Sequence, residues 1–117
     1  MKYNENSRII GALRSVAKFH PNVQETLNSA IHPTEKGKRG GSLFICNECG
    51  LCFTRKEVQV DHIDPVVPVD REIVDWNEYI ERLFCSTDKL QVLCKPCHQI
   101  KCNEENEERR WQKKYSQ

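Results

Sequence analysis

Residues 90–98 read Leu-Gln-Val-Leu-Cys-Lys-Pro-Cys-His, and this stretch decides the fold. A short apolar run enters a Cys-x-x-Cys pair, Cys94 and Cys97, whose spacing allows both thiolates to bind one metal ion in a tight turn. Pro96 suits the first turn of a helix, because an N–H at that position would have no helical partner. The stretch therefore predicts a short strand, a metal-binding turn and a terminal helix over roughly 95–112.

A second Cys-x-x-Cys pair, Cys46 and Cys49, is followed by Gly50, which permits a tight turn. Together the two pairs complete a tetrahedral four-sulfur site, which favours Zn²⁺ and leaves no open position on the ion. The 44 residues between the pairs exceed the span of a simple zinc finger, so the spacing predicts a functional insert clamped at its base by structural zinc. A redox-active dithiol at Cys46 and Cys49 is the competing interpretation, and the presence of two pairs counts against it.

Three of the seven cysteines lie outside these pairs. Cys52 is close enough to the first pair to compete with Cys49 for the metal. Cys85 follows an apolar helical segment and is predicted to be a small buried side chain. Cys102 lies one helical turn after His98, which leaves either packing or a peripheral place at a second metal ion.

The length and composition describe a small water-soluble domain. A chain of 117 residues fits one domain whose limited core often needs a staple. No apolar run reaches membrane-spanning length and the N-terminus has no apolar signal core, so we expect a cytoplasmic protein with reduced thiols. Residues 1–41 carry seven Lys and Arg against three Asp and Glu, and residues 42–117 carry eleven against fourteen. This asymmetry suits a basic part that grips phosphates, although ordinary surface charge gives the same count.

Apolar spacing and turn residues predict the other elements. These are an amphipathic helix over about 6–19, a second short helix over about 23–31, a basic glycine-rich loop over 35–41, strands over 43–45 and from 58 to about 62, and a helix over about 75–85. We therefore divide the chain into a helical N-terminal arm with its basic loop (1–41) and a zinc-stapled core with a helical insert (42–117).

Two histidines and one aspartate are candidates for chemistry. Asp61 and His62 are neighbours on a predicted strand, so their side chains point in different directions, and one can bind metal while the other faces a substrate. His98 directly follows Cys97, on a helix that a shared zinc ion would hold against the metal-binding turn of Cys46 and Cys49. This turn is called the first knuckle. The staple thereby gives His98 a way to approach Asp61. Lys101, one turn further along, either adds positive charge near a phosphate or is a solvated helix lysine.

The order Cys-x-x-Cys, Val-Asp-His-Ile-Asp-Pro, Leu-Gln-Val-Leu-Cys-x-x-Cys-His-x-x-Lys resembles the His-Asn-His (HNH) endonuclease family. It is most similar to small phage-encoded members with a zinc-bound ββα-metal core, and the likeness covers roughly residues 6–108. The resemblance implies an α+β fold with a ββα-metal (His-Me finger) core. It also implies a hydrolase that cuts DNA phosphodiester bonds, either by nicking or by double-strand cleavage.

Carried over residue by residue, the resemblance assigns roles to three side chains. Asp61 and His98 would ligate a catalytic divalent ion, namely Mg²⁺, Mn²⁺ or another, and His62 would be the general base. The chemistry is coherent, because a neutral imidazole can deprotonate water at neutral pH and a bound ion can stabilise the departing 3′-oxygen. The products would be a 5′-phosphate and a 3′-hydroxyl.

One position departs from the family pattern. Lys89 stands where relatives carry the middle Asn, which orders the loop bearing the base or helps at the metal. Lysine cannot accept a hydrogen bond, and its charge opposes a nearby cation. Three outcomes are open: Asp88 substitutes after a small shift, Lys89 contacts phosphate instead, or the protein is catalytically impaired. The alternative function is therefore a zinc module that binds nucleic acid or a partner protein without cutting it.

The expected partner is DNA, held mainly through its phosphates. The candidate contacts are the basic residues Arg8, Arg14, Lys36, Lys38, Arg39 and Lys101. A phage origin would suggest work in the host cytoplasm, either beside the genome-packaging machinery or as a mobile nicking enzyme, which is an expectation by family analogy alone. No membrane partner is expected, and the sequence predicts no particular oligomeric state.

Overall fold

The computed structural model describes residues 4–73 and 75–115 of the chain. It is a mixed α+β structure with two small sheets. In chain order the elements are α1 (Glu5–Ala17), α2 (Pro21–Ser29), β1 (Ile31–Lys36), β2 (Ser42–Ile45), β3 (Cys52–Phe53), a 3₁₀ turn (Arg55–Glu57), β4 (Val58–His62), α3 (Trp76–Leu83), a second 3₁₀ turn (Thr87–Lys89), β5 (Leu90–Cys94) and α4 (Lys95–Tyr115).

The N-terminal segment contains two helices with polar caps. The Asn4 side chain accepts a hydrogen bond from the Ser7 N–H at 3.1 Å, which satisfies an otherwise unpaired donor at the start of α1. The His20 ring does the same for the N–H of Asn22 at 3.2 Å, and Pro21 lies in the first turn of α2. The predicted helix over 6–19 is confirmed as α1.

The prediction of a second helix over 23–31 is wrong at its end, because α2 stops at Ser29 and Ile31 begins β1. Strand β1 takes the first two residues of the predicted basic loop and pairs antiparallel with β2. It lies at the edge of the three-stranded sheet β1-β2-β3, where Pro33 is tolerated without breaking a central ladder. This pairing crosses residue 41, so the predicted N-terminal arm and the predicted core share one sheet.

The second sheet consists of β4 and β5, which pair antiparallel from Val58 opposite Cys94 to His62 opposite Leu90. Helix α4 follows β5 without an intervening loop. The predicted strands at 43–45, 58–62 and 90–93 are confirmed, and so is the helix near 75–85. The Asp75 side chain caps that helix by accepting from the N–H of Asn77 at 3.0 Å.

Among the residues that the structure describes, the buried core consists of three small clusters instead of one large one. Leu27, Phe44, Val58 and Val92 join α2 to both sheets. Separate clusters of buried residues pack α1 against α3 (Ala17, Val66, Tyr79, Leu83) and surround the end of β5 (Cys46, Leu93, Cys94). Such divided packing leaves each part with little apolar burial of its own, so a covalent or metal staple adds much. Within the described ranges, no helix is both long enough and apolar enough to cross a bilayer.

Candidate functional site

Four cysteine side chains form a cluster that could hold a structural metal ion such as zinc. The Sγ atoms of Cys46, Cys49, Cys94 and Cys97 all lie within 4.8 Å of one another, and those of Cys49 and Cys94 are 3.9 Å apart. A tetrahedral zinc ion with Zn–S bonds of about 2.3 Å sets its sulfurs about 3.8 Å apart, so the spacing fits the ion. The structure thus brings together the four cysteines that the sequence pairs as ligands.

The cluster sits where three elements meet. Cys46 follows β2, and its turn is closed by the Gly50 N–H, which donates to the Cys46 carbonyl at 2.9 Å with Gly50 at φ +75°. The turn is tied to β5 by the Asn47 N–H, which donates to the Val92 carbonyl at 2.8 Å. Cys94 ends β5 and the fourth cysteine lies in the first turn of α4. A metal ion here would fasten the first knuckle to both β5 and α4.

The protonation of these thiols is uneven. Burial disfavours the Cys46 thiolate, but hydrogen bonds from neighbouring backbone N–H groups, chiefly that of Cys49, together lower the pKa of Cys46 from 9.0 to about 6. A hydrogen bond with the Cys94 thiol is the main reason that the pKa of Cys97 is raised to about 12, and burial adds to it. Burial also raises the pKa of Cys94. Without an ion Cys94 and Cys97 therefore keep their protons, and metal binding must release them.

The three remaining cysteines lie elsewhere. Cys52 is on β3 and is not part of the four-sulfur cluster, so it does not replace Cys49. Cys85 is half-buried after α3, and burial raises the pKa of its thiol. Cys102 lies on α4 with its Sγ 3.7 Å from each ring nitrogen of His98.

The structure brings Asp61 and His98 together. Asp61 lies on β4 and is 8% exposed, and its Oδ1 is 3.5 Å from His98 Nε2. The other carboxylate oxygen accepts from Gln91 Nε2 at 2.9 Å, across the β4–β5 pair. Gln91 in turn accepts from Asn47 Nδ2 at 2.8 Å, so a chain of side chains runs from the cysteine knuckle to the carboxylate. This chain orients Asp61 toward α4.

Lys101 is tied into the same group and is no solvated helix lysine. Its Nζ lies 3.1 Å from Asp61 Oδ2 and 2.9 Å from Glu105 Oε2, and it donates to the His62 carbonyl at 3.0 Å. Burial lowers the pKa of this ammonium, but its hydrogen bonds with Glu105 and Asp61 outweigh that effect and raise it. Lys101 is therefore a positive charge fixed beside the carboxylate.

His62 points away from Asp61, as expected for neighbours on a strand, and is held from the other side. Its Nε2 lies 2.8 Å from the Leu83 carbonyl at the end of α3. A carbonyl oxygen can only accept, so this hydrogen bond places a proton on Nε2 and leaves the Nδ1 lone pair available as a base when the ring is neutral. Helix α3 thereby sets both the tautomer and the orientation of His62.

These side chains line one cleft of about 700 Å³. Asp61, His62, His98 and Lys101 are all on its wall. So are four further cations: Arg14, Lys18, Arg55 and Arg109. The cleft combines a small polar cluster with positively charged walls, which suits an anionic ligand.

The predicted DNA contacts divide into two groups. Arg14 and Lys101 line the cleft. The described residues on the cleft wall do not include the other four, which are Arg8 on α1 and Lys36, Lys38 and Arg39 around the β1–β2 turn. Sequence reasoning missed Lys18, Arg55 and Arg109. Two of them carried a signal, because Lys18 lies four residues after Arg14 and Arg109 lies eight after Lys101, spacings that return to the same helix face.

Lys89 lies in the second 3₁₀ turn with an exposed side chain. Its carbonyl accepts from the N–H of Ile63 at 3.0 Å, which fastens the residue after His62. The Asp88 carboxylate accepts a hydrogen bond from the Ser86 hydroxyl, and this hydrogen bond lowers the pKa of the carboxyl group. The backbone therefore anchors the strand end at this position, and the side chain of Lys89 is not needed for that contact.

Comparison with known proteins found no family model, no curated protein and no solved structure that matches this chain.

Proposed function

We propose that this protein is a metal-dependent DNA endonuclease of the HNH type, a hydrolase of phosphodiester bonds. The observation that carries the proposal is the approach of Asp61 and His98 to 3.5 Å beside a tautomer-fixed His62, in a cleft with cationic walls. In this proposal β4, β5 and α4 are the ββα-metal core, the four cysteines bind structural zinc, and α3 is the insert that supports the base.

The donor set fits a catalytic divalent ion held by Asp61 and His98. Adjacent ligand atoms of an octahedral ion lie about 2.8–3.0 Å apart at the metal–ligand distances of about 2.0–2.1 Å typical of Mg²⁺, and about 3.3–3.7 Å apart at the 2.3–2.6 Å typical of larger ions. The observed 3.5 Å between Asp61 Oδ1 and His98 Nε2 matches the wider spacing, and the two side chains would have to close by about 0.5 Å to hold Mg²⁺. Two protein ligands leave coordination positions for a phosphate oxygen and water. Such an ion, Mg²⁺, Mn²⁺ or another, would supply positive charge for the phosphorane transition state and the leaving oxygen.

The proposed chemical step belongs to His62. Its Nδ1 accepts a proton from a water molecule, the water oxygen forms a bond to phosphorus, the bond from phosphorus to the 3′-oxygen breaks, and the leaving alkoxide takes a proton from solvent water. The products are a 5′-phosphate and a 3′-hydroxyl. The Leu83 carbonyl stabilises the imidazolium that results, because its hydrogen bond to Nε2 strengthens when the ring becomes charged.

Arginine residues on the cleft wall would hold the DNA backbone. Within the described part of the chain, Arg14 donates one hydrogen bond to the Tyr79 hydroxyl, and Arg55 donates one to the Val58 carbonyl. Arg109 donates two hydrogen bonds, one to the Val67 carbonyl and one to the side chain of Asn106. A guanidinium has five N–H donors, so each of these side chains is fixed by the protein and keeps donors for phosphate oxygens. We propose Lys36, Lys38, Arg39 and Arg8 as contacts to DNA flanking the cleft.

The alternative is a catalytically impaired zinc module that binds nucleic acid or a partner protein because Lys89 replaces the family Asn. We favour the active enzyme, because the strand end after His62 is held by a backbone hydrogen bond that any residue at position 89 provides. A phage origin, a place in the host cytoplasm and an association with genome-packaging machinery extend the proposal and rest on sequence resemblance alone.

The test is cleavage of supercoiled plasmid with Mg²⁺ or Mn²⁺. We expect the unmodified protein to cut and His62→Ala to lose about 10²–10⁴-fold of the rate while keeping its zinc content. His32→Ala, the same change at a histidine on β1 outside the cleft, is the matched control and should cut normally. If the unmodified protein and His62→Ala are equally inert but still shift DNA on a gel, the impaired binding module is the correct function.

A further inference from the structure

We propose that Cys102 is a third protein ligand of the ion held by Asp61 and His98, and that it makes this site selective for thiophilic divalent ions such as Zn²⁺ and Co²⁺ over Mg²⁺. The inference rests on the metal site of the proposed function. Its test measures metal binding, so it can fail while the nuclease activity stands.

The first argument is position. His98 and Cys102 are four residues apart on α4, and side chains at that spacing lie on the same face of a helix. The face is the one that meets β4, because His98 lies 3.5 Å from Asp61 there. All three side chains line the same cleft. One turn of α4 therefore places an imidazole beside a buried carboxylate and a thiol beside that imidazole.

The second argument is distance. In a tetrahedral site with metal–nitrogen and metal–oxygen bonds of about 2.0–2.1 Å and a metal–sulfur bond of about 2.3 Å, nitrogen lies about 3.6 Å from sulfur and about 3.4 Å from oxygen. His98 Nε2 is 3.7 Å from Cys102 Sγ and 3.5 Å from Asp61 Oδ1. The distance between His98 and Asp61 matches that geometry, and Cys102 Sγ lies close to the imidazole, but the three donors are not gathered within 4.8 Å of one another.

One adjustment is needed. Among the described residues only the four-cysteine cluster has three or more donors already gathered, and Cys102 Sγ is equally far from both ring nitrogens of His98. The sulfur therefore lies beside the ring, and ligation requires a turn about the Cα–Cβ bond of Cys102. Rotation between staggered wells is available to a half-buried side chain of this size.

The third argument is donor chemistry. A carboxylate, an imidazole and a thiolate together form a borderline-soft set that Zn²⁺ and Co²⁺ prefer, whereas Mg²⁺ binds oxygen ligands. Lys101 already neutralises the Asp61 oxygen that faces away from His98, which leaves Oδ1 for the ion. Three protein ligands would leave a fourth position for water or substrate, as in catalytic zinc sites.

The experiment uses the full chain carrying one equivalent of zinc, with Co²⁺ as the probe. Co²⁺ is titrated while retained zinc is measured, and the sulfur-to-cobalt charge-transfer absorption is recorded. We expect a second ion to bind with a thiolate band. Cys102→Ser should lose that band and bind Co²⁺ at least about tenfold more weakly, with its affinity for Mg²⁺ little changed. Cys102→Ala, whose side chain offers neither sulfur nor oxygen to the ion, should show the same losses.

Cys85→Ser is the matched control, because Cys85 also lines the cleft and is half-buried but lies after α3. It should keep both the band and the affinity. Equal Co²⁺ binding without a thiolate band in the unmodified protein and in Cys102→Ser would overturn the role of Cys102 and leave the site of Asp61 and His98 standing. If no second ion binds, and His98→Ala is indistinguishable from the unmodified protein, the proposed metal site itself is wrong.

Discussion

At the scale of single residues, the juxtaposition of Cys97 and His98 links the two centres. Consecutive residues of a helix point about 100° apart, so the first turn of α4 directs one side chain to the four-sulfur cluster and the next toward Asp61. The cluster fixes the helix start, and the helix start fixes the imidazole. Asn47 and Gln91 add a second connection, which runs from the knuckle to the carboxylate.

The connection through Gln91 leads to a prediction. Gln91→Ala removes one of the two donors that hold Asp61 Oδ2 and leaves Lys101 as the other, so the carboxylate is oriented less firmly, and we expect ion binding at the Asp61–His98 site to weaken about 10–100-fold. Isothermal titration with Mn²⁺ measures the affinity, and zinc content reports on the cluster. Gln99→Ala is the matched control, because that glutamine bonds only to Asn103 on the exposed face of α4 within the described residues. Equal affinities in the two variants would remove Gln91 from the positioning role.

Lys89 gives a second prediction at this scale. Its side chain is exposed and the neighbouring turn is held by backbone groups, so Lys89→Asn should change the free energy of unfolding by no more than about 0.5 kcal/mol. Cleavage should stay within about threefold, because the Lys89 side chain is exposed and is not among the described residues that line the cleft. Denaturant melts and plasmid cleavage, run beside Lys89→Ala, check both expectations. A large gain in rate specific to Asn would show that the unmodified protein is impaired.

At the scale of elements, the outcome of sequence reasoning followed the strength of the local pattern. Helix α1 and strand β4 were predictable, because the apolar residues of each repeat with one clear period. Strand β1 was not, since Ile31–Lys36 has no alternating pattern and contains a proline. Pairing with β2 makes it a strand. Its existence depends on a partner, which no local window of sequence contains.

The residues of the candidate site were likewise predictable only where a local sequence motif marked them. Asp61, His62 and His98 were found because they stand in short motifs beside the cysteine pairs. Arg55 was missed because it lies in a 3₁₀ turn whose place on the cleft wall depends on the packing of β4. The role of Leu83 was invisible as well, since its backbone carbonyl makes the contact and any residue type supplies one.

The insert around α3 carries the third prediction. Arg82 donates to the carbonyls of Pro65 and Val66 at 2.7 and 2.8 Å, and so fixes the chain that leaves His62. Arg82→Gln leaves these part-buried carbonyls without a charged donor, and we expect a loss of about 1–3 kcal/mol in the free energy of unfolding. Arg71→Gln is the control, because its ion pair with Glu78 is 51% and 34% exposed and such pairs contribute under about 1 kcal/mol.

Urea melts followed by circular dichroism measure both variants. Hydrogen exchange of the amides in 63–70 shows whether Arg82→Gln also loosens that segment. Equal stabilities of the two variants would mean that Arg82 does not hold the insert.

At the scale of the whole molecule, stability depends on how three small apolar clusters are joined. The cluster of Leu27 and Val92 connects both sheets to α2, and the cluster of Leu93 surrounds two of the four cysteines. Leu93 and Cys46 are the largest fully buried side chains among those described, and the buried residues are divided over small clusters, so hydrophobic burial alone provides a modest part of the folding free energy. The metal ion is therefore expected to supply what the divided core does not.

The last prediction follows from that division. Zinc bound to four cysteines contributes about 10–16 kcal/mol in small zinc domains, which equals or exceeds the whole stability of about 5–15 kcal/mol that domains usually have. Removal of the ion by a strong chelator under reducing conditions should therefore abolish cooperative thermal unfolding and the binding of a second ion together.

Cys94→Ser should reproduce this loss, because the serine hydroxyl is a poor zinc ligand. Cys52→Ser changes a cysteine outside the cluster and should keep both the zinc and a melting transition near that of the unmodified protein. Since the cluster holds the start of α4, a chelated protein that still melted cooperatively, and still bound Mn²⁺ between Asp61 and His98, would show that packing alone positions the helix.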